Sequence, residues 1–152
     1  MSLLNILPIA GSAVSAQSQR LNTVASNLAN ADSVAGPDGT AYKARQVVFK
    51  AQAEQPRSLL DRGASLSGTA GARAAASPGV DVVSVVEDPS PGRRLFDPKH
   101  PLADEEGYVT HSNVNVVEEM VNMISATRSY QNNIEMMNTA QQLASKTLQL
   151  GL

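Results

Sequence analysis

Hydrophobic and polar positions along the chain mark two long stretches of helical period, separated by a region of strand and turn signals. The later stretch, 113–152, contains no proline and no glycine before Gly151. Asn115 can cap its first turn while Glu118 reaches back to the cap amide, and Glu118 and Glu119 together favour the positive end of the helix dipole. Alternate steps of four and three from Val116 trace Met120, Met123, Thr127, Tyr130, Ile134, Met137, Gln141, Ala144 and Leu148. This spacing predicts a coiled-coil-like seam, softened by methionine and alanine and broken by polar Thr127 and Gln141. Such a helix would be about 55 Å long at 1.5 Å per residue. That exceeds what a chain of this size needs for its own core, so packing on something beyond its own domain is expected.

The earlier helical stretch runs from Pro8, tolerable at a first helical position, to about Asn30. Leu7, Val14, Leu21 and Leu28 fall seven apart, and Ala10, Gln17, Val24 and Ala31 occupy the second seam position. The remaining surface is Ser12, Ser15, Gln17, Ser18, Gln19, Asn22, Ser26, Asn27 and Asn30. A solvated helix usually alternates charges, so this uncharged polar face predicts close packing by neighbours through hydrogen bonds. A two-helix hairpin with a plain surface is the alternative.

Between the helices, Gly36-Pro37-Asp38-Gly39 is a tight-turn run that redirects the chain. Residues 42–50 read as a strand, and 80–86 as the strongest strand, whose alternation slips at Val82-Val83 and predicts a bulge or burial on both faces. Residues 51–79, rich in Ala, Ser, Gly and Arg without a period, read as a mobile loop. Leu95-Phe96 and Tyr108-Val109-Thr110 continue a small β unit across a turn-rich loop. The expected fold is mainly α with a small β insertion, organised as a helix over 1–34, a β-rich insertion over 35–111 and a long helix over 112–152.

Composition narrows the function classes. The 152 residues include only 3% aromatics and no tryptophan, which leaves a thin core for a lone domain. A net charge of −2 with 17% charged residues, and Arg93-Arg94 as the only adjacent basic pair, argues against nucleic-acid binding. Without cysteine there is no disulfide, thiolate metal site or cysteine nucleophile. The apolar start, 1–10, lacks a preceding Lys or Arg and is too short to span a membrane, so no cleavable signal is expected.

Catalysis is also disfavoured. Asp97, Asp104, Glu105 and Glu106 lie near His100 and His111 in sequence but match no metal-binding or acid–base spacing. No phosphate-cradling glycine pattern occurs, and no nucleophile, base and orienter can be assembled. The expectation is a non-enzyme with no cofactor and no metal. Met120, Met123, Met136 and Met137 fit an adaptable interface better than metal ligation.

Particular residues then carry a resemblance. SQRLNTVASNLANAD over 18–32, with Ser26-Asn27-Leu28-Ala29-Asn30 at its centre, resembles the N-terminal signature of bacterial flagellar axial proteins, the rod, hook and hook–filament junction subunits. Asp88-Pro89-Ser90-Pro91, Asp97-Pro98 with His100-Pro101, Gly107-Tyr108-Val109, the run NVNVVEEMVNM over 113–123 and Arg128-Ser129-Tyr130-Gln131 sharpen it toward the proximal rod members. Residues 51–79 carry no part of the match.

The resemblance implies that the terminal helices pair antiparallel and line the inner tube of a hollow shaft built from stacked copies. It implies a subunit interface on Leu7, Val14, Leu21, Leu28, Val116, Met120, Met123, Tyr130, Ile134 and Met137, with Ser26, Asn27 and Asn30 bonding to neighbouring subunits. The loop 51–79 and the segment 88–101 would meet adjacent shells or the surrounding wall. Implied partners are further copies, other rod proteins, membrane-ring or rod adaptor proteins and the flagellar type III export apparatus, with no nucleic acid and no small-molecule substrate. The implied location is the periplasmic rod of the basal body, reached without a cleaved signal. Another axial subunit, or a two-helix export chaperone or adaptor, is the competing reading.

Overall fold

The computed structural model describes residues 3–36, 38–52 and 79–150. Two helices, α1 (Leu3–Ala29) and α2 (Val116–Leu150), enclose in sequence the strands β1 (Arg45–Gln52), β2 (Gly79–Glu87), β3 (Arg94–Phe96) and β4 (Tyr108–Thr110). The mainly helical fold with a small β module is as the sequence indicates. The expected mobile loop over 51–79 lies outside the described residues except at its ends, where Ala51 and Gln52 belong to β1 and Gly79 to β2.

Helix α2 has 35 residues and is about 52 Å long. Asn115 caps it, its Oδ1 accepting the Val117 amide at 3.2 Å. Glu118 remains exposed, and it is Glu119 that turns into the fold. Helix α1 has 27 residues and places Pro8 inside, where the sequence reading made it the first position. Proline there deprives the carbonyl of residue 4 of its helical donor, a loss confined to the opening turns, so the helix still extends back to Leu3. The helices pair antiparallel, since Asn27 meets Glu119 while Arg20, farther back in α1, reaches Asn122, farther along α2.

Strands β1 and β2 form an antiparallel hairpin in which Val48 faces Ser84 and Phe49 faces Val82. Val83 is therefore the extra residue, and the bulge expected from the slipped alternation is present. Burial on both faces is not: Val83, Val85 and Val86 are exposed, because only one face of the hairpin rests on α1 and no other described element covers the hairpin. β3 and β4 make a second hairpin. Gly107 closes its turn at φ 79°, and the rings of Phe96 and Tyr108 meet edge to face at 5.2 Å. Val34 bridges to His111, and the Ala35 and Ser112 amides bond Thr110 and Ser33, so the segment leaving α1 lies beside β4. The hydroxyl of Ser112 donates to the carbonyl of Ala31, tying the end of α1 to the approach to α2.

Gly92 sits where these strands converge. A Cβ there would lie 2.1 Å from the carbonyl oxygen of His111, a backbone atom that cannot swing aside. Gly92→Ala is expected to destabilise the chain by about 1–3 kcal/mol through forced displacement of the neighbouring strand. Thermal denaturation followed by circular dichroism measures this, and an unchanged midpoint would contradict the packing described.

The core is as thin as the composition predicts. Its buried apolar residues among those described are seven alanines, Ala10, Ala16, Ala31, Ala35, Ala44, Ala126 and Ala140, with Val24, Val109 and Val114. The largest fully buried side chains are Val109, Asn27 and Ser112.

Candidate assembly interface

The helix pair sets the first part of the surface. Val116, Met123, Tyr130, Met137 and Ala144 line the half-buried strip of α2, as the heptad reading expects. The other line of the seam is displaced by one residue. Glu119, Ala126 and Ala140 are buried with Asn133 between them half-buried, whereas Met120 is 50% exposed, Gln141 is exposed and Leu148 is 72% exposed. Thr127 and Ile134 are half-buried at the margin. Close helices favour small side chains at the contact, which is why alanine takes the centre and methionine the flank. On α1, Ala10, Ala16, Val24, Asn27 and Ala31 are buried, while Leu7, Val14, Leu21 and Leu28 are half-buried beside them.

The Ser26-Asn27-Leu28-Ala29-Asn30 signature ends α1, and its central asparagine is 0% exposed. Asn27 Oδ1 accepts the Arg45 amide at 2.9 Å and the Tyr42 hydroxyl at 3.0 Å. Its Nδ2 donates to the Arg45 carbonyl at 2.8 Å and to Glu119 Oε2 at 3.1 Å. Two acceptor and two donor positions are all used inside the chain, which leaves none for a neighbouring subunit. The expectation that Asn27 bonds outward therefore meets a different geometry: the residue joins α1, β1 and α2. Asn30 likewise donates to the Ser26 carbonyl of its own helix, at 2.8 Å. Ser26 shares a hydrogen with the Tyr42 hydroxyl at 3.2 Å. Sequence reasoning placed Glu119 only at the helix dipole. Its buried role was legible in principle as the acid that a buried asparagine donor requires, but no local pattern pairs residues so distant in sequence.

A second asparagine was missed altogether. Asn113, just before α2, accepts the Ala44 amide on Oδ1 at 2.7 Å and donates from Nδ2 to the carbonyls of Ser90 at 3.0 Å and Asp88 at 3.3 Å. Asp88 closes its own turn by accepting the Ser90 hydroxyl and amide, and these bonds hold its carboxyl below the usual carboxylate range.

Charged and titratable groups near the β3–β4 hairpin serve local structure. Arg94 stands 4.9 Å over the Tyr108 ring and within 3.7 Å of both Asp104 and Glu106. His100 Nδ1 accepts the Leu102 amide at 3.2 Å. Among the described residues no three His, Asp or Glu side chains gather as metal ligands would.

Besides the hairpin valines and Met136, Leu143 and Leu148 along α2, two groups of exposed apolar side chains stand out among the described residues. Val117, Met120, Val121 and Ile124 are 50–71% exposed and occupy the side of α2 turned away from α1. Among the described residues α2 touches no strand, so this face has no partner strand there. A second apolar group, Leu95, Phe96, Leu102 and Tyr108, lies on the outer hairpin.

Comparisons with known proteins agree with this arrangement. The family described as "Flagella basal body rod protein" matches residues 7–37, covering most of α1 and its signature. The one described as "Flagellar basal body rod FlgEFG protein C-terminal" matches 105–150, covering β4 and α2. The flagellar basal-body rod protein FlgC of Yersinia enterocolitica is 52% identical over 151 residues, 99% of each chain. That of Salmonella typhimurium is also 52% identical over 151 residues and 99% of each chain. The Bacillus subtilis protein of the same name is 35% identical over 155 residues, again 99% of each. With such identity along its whole length and the two terminal helices matched separately, the chain belongs to the FlgC family of flagellar basal-body rod proteins.

Proposed function

We propose that the chain is a structural subunit of the proximal rod of the bacterial flagellum, part of the hollow periplasmic shaft that passes motor torque to the distal rod and hook. It acts through packing alone, without catalysis or cofactor. Its neighbours are further copies, other rod proteins and the adaptors that join the rod to the membrane ring, and it reaches the rod through the type III export apparatus without a cleaved signal. Family membership supports this reading, and one observation carries it: α2 is apolar on two opposite sides, with only one of them occupied by α1. A helix flanked on both sides suits a many-contact polymer, in which intersubunit burial offsets the thin core. Leu7, Val14, Leu21, Leu28, Met120, Met123, Tyr130, Ile134 and Met137 border these surfaces and are the positions proposed to contact neighbours, with Val116 at the head of α2.

Val121 and Ile124 test the reading because they are exposed in the subunit, at 61% and 56%, so charge there should not disturb its fold. In cells whose own copy is replaced, Val121→Lys with Ile124→Lys is expected to abolish swimming and halt basal bodies before the hook. The purified variant should keep its helical circular dichroism. Normal motility would refute the proposed packing, and a soluble stoichiometric complex with rod partners in place of polymers would favour the adaptor reading.

A further inference from the structure

We infer that Asn113, together with Asn27 and Ser12, is a positioning residue whose hydrogen bonds make the helix pair and the β1–β2 hairpin turn as one body. The hairpin lies along α1 and is pinned at both ends. At its root, the consecutive peptide groups of Ala44 and Arg45 are gripped from three directions. The Ala44 amide goes to Asn113 at 2.7 Å and the Ala44 carbonyl to the Asp88 amide at 2.8 Å, while both groups of Arg45 go to Asn27 at 2.9 and 2.8 Å. At its far end, Ser12 Oγ accepts the Val80 amide at 3.1 Å while donating to the Ile9 carbonyl at 2.8 Å. Gly79 beside it approaches so closely that a Cβ would fall 2.7 Å from that hydroxyl.

The two pins are consistent in length. Ser12 and Asn27 are about 22 Å apart along the helix. The eight residues of β1 span about 26 Å. Between the pins the contact is loose, with Val47, Val80 and Val82 only half-buried against α1 and Val85 49% exposed. Apolar packing of that kind is non-directional and permits sliding, whereas bidentate amide bonds fix an angle. Since α2 touches no strand among the described residues, the Asn113 side chain is the direct polar link from the approach to α2 into the hairpin root. The amide is required at this position because it must accept from one peptide group and donate to two carbonyls at once. Aspartate has the same shape but would set a carboxylate against the carbonyls of Asp88 and Ser90.

The purpose of this stiffness, carrying twist between the inner helices and the outer module, rests on the rod reading; the stiffness itself does not. The chain contains no cysteine, so spin labels at Lys50→Cys on the hairpin and Gln131→Cys on α2 are unambiguous. Double electron–electron resonance on the full chain is expected to give a single narrow distance in the otherwise unchanged protein. Asn113→Asp should broaden it at least twofold, more than Asn113→Ala, because the isosteric acid repels where alanine merely leaves a gap. Ser12→Ala should broaden it by a smaller amount from the opposite end, with helical circular dichroism retained. A residue that only filled space would rank the other way, with the aspartate variant close to the unchanged protein. Equal widths in Asn113→Asp and the unchanged protein, or a distribution already broad in the latter, would overturn the inference. Failure of the rod reading would leave these distances untouched and appear only in motility.

Discussion

Asn27→Asp is expected to destabilise the chain by about 3–5 kcal/mol, the range found when a buried charge is left without its partner. The substitution changes no volume, so packing is preserved and only polarity is tested. In the native protein Asn27 Nδ2 sits 2.8 Å from the Arg45 carbonyl and 3.1 Å from Glu119 Oε2, with the residue wholly enclosed. An aspartate oxygen at that place would face one acceptor and one carboxylate, with no solvent to screen them. Glu119→Gln by itself should be mild, since its amide oxygen can still accept from Asn27. Combined with Asn27→Asp it supplies a donor to the new carboxylate, and the pair should recover more than about 1 kcal/mol relative to the sum of the single changes. Urea denaturation of the single and double variants measures this coupling. Strictly additive losses would mean that Asn27 and Glu119 do not act on each other.

Ala126→Leu is the second large effect, and it decides the register of the helix pair. Ala126 is 0% exposed and lies on the line of α2 closest to α1. A branched side chain there must part the helices or leave its rotamer well, at about 1–3 kcal/mol and more if neither can yield. Met120→Ala, by contrast, removes a side chain that is 50% exposed and should change stability by less than about 0.5 kcal/mol. Thermal midpoints of the two variants compare the registers directly. If Met120→Ala were the more damaging, the seam would run through Met120 and Thr127 as the periodicity alone proposes.

That contrast shows how far the pattern of residues reaches. Val116, Met123, Tyr130, Met137 and Ala144 are common to either register because they are spaced by seven, so the strip and the helix were legible. The companion line could fall one residue to either side, and hydrophobicity favours Met120 and Ile134. The structure instead buries Glu119, Ala126 and Ala140, because the helices approach closely and α1 brings Asn27 to meet the glutamate. The slipped alternation at Val82-Val83 similarly announced the bulge but not which face would be covered, since that depends on where α1 lies. The cap at Asn115 was legible because capping is a local bond. The roles of Asn27 and Asn113 were not, because each joins segments far apart in the chain.

The order of elements, the two helical strips, the cap of α2, the bulged strand and the poverty of the core were determined by the sequence itself, through effects acting within a few residues: dihedral preference, period and turn chemistry. Family membership was carried there too, by the residues around Asn27 and 113–123. Tertiary structure alone decided which line of α2 is buried, which asparagines hold the hairpin and which apolar face of α2 stays exposed. Those outcomes turn on which donors, acceptors and small side chains meet across long sequence separations, and a choice between nearly equal hydrophobic faces is settled only when a particular partner occupies one of them.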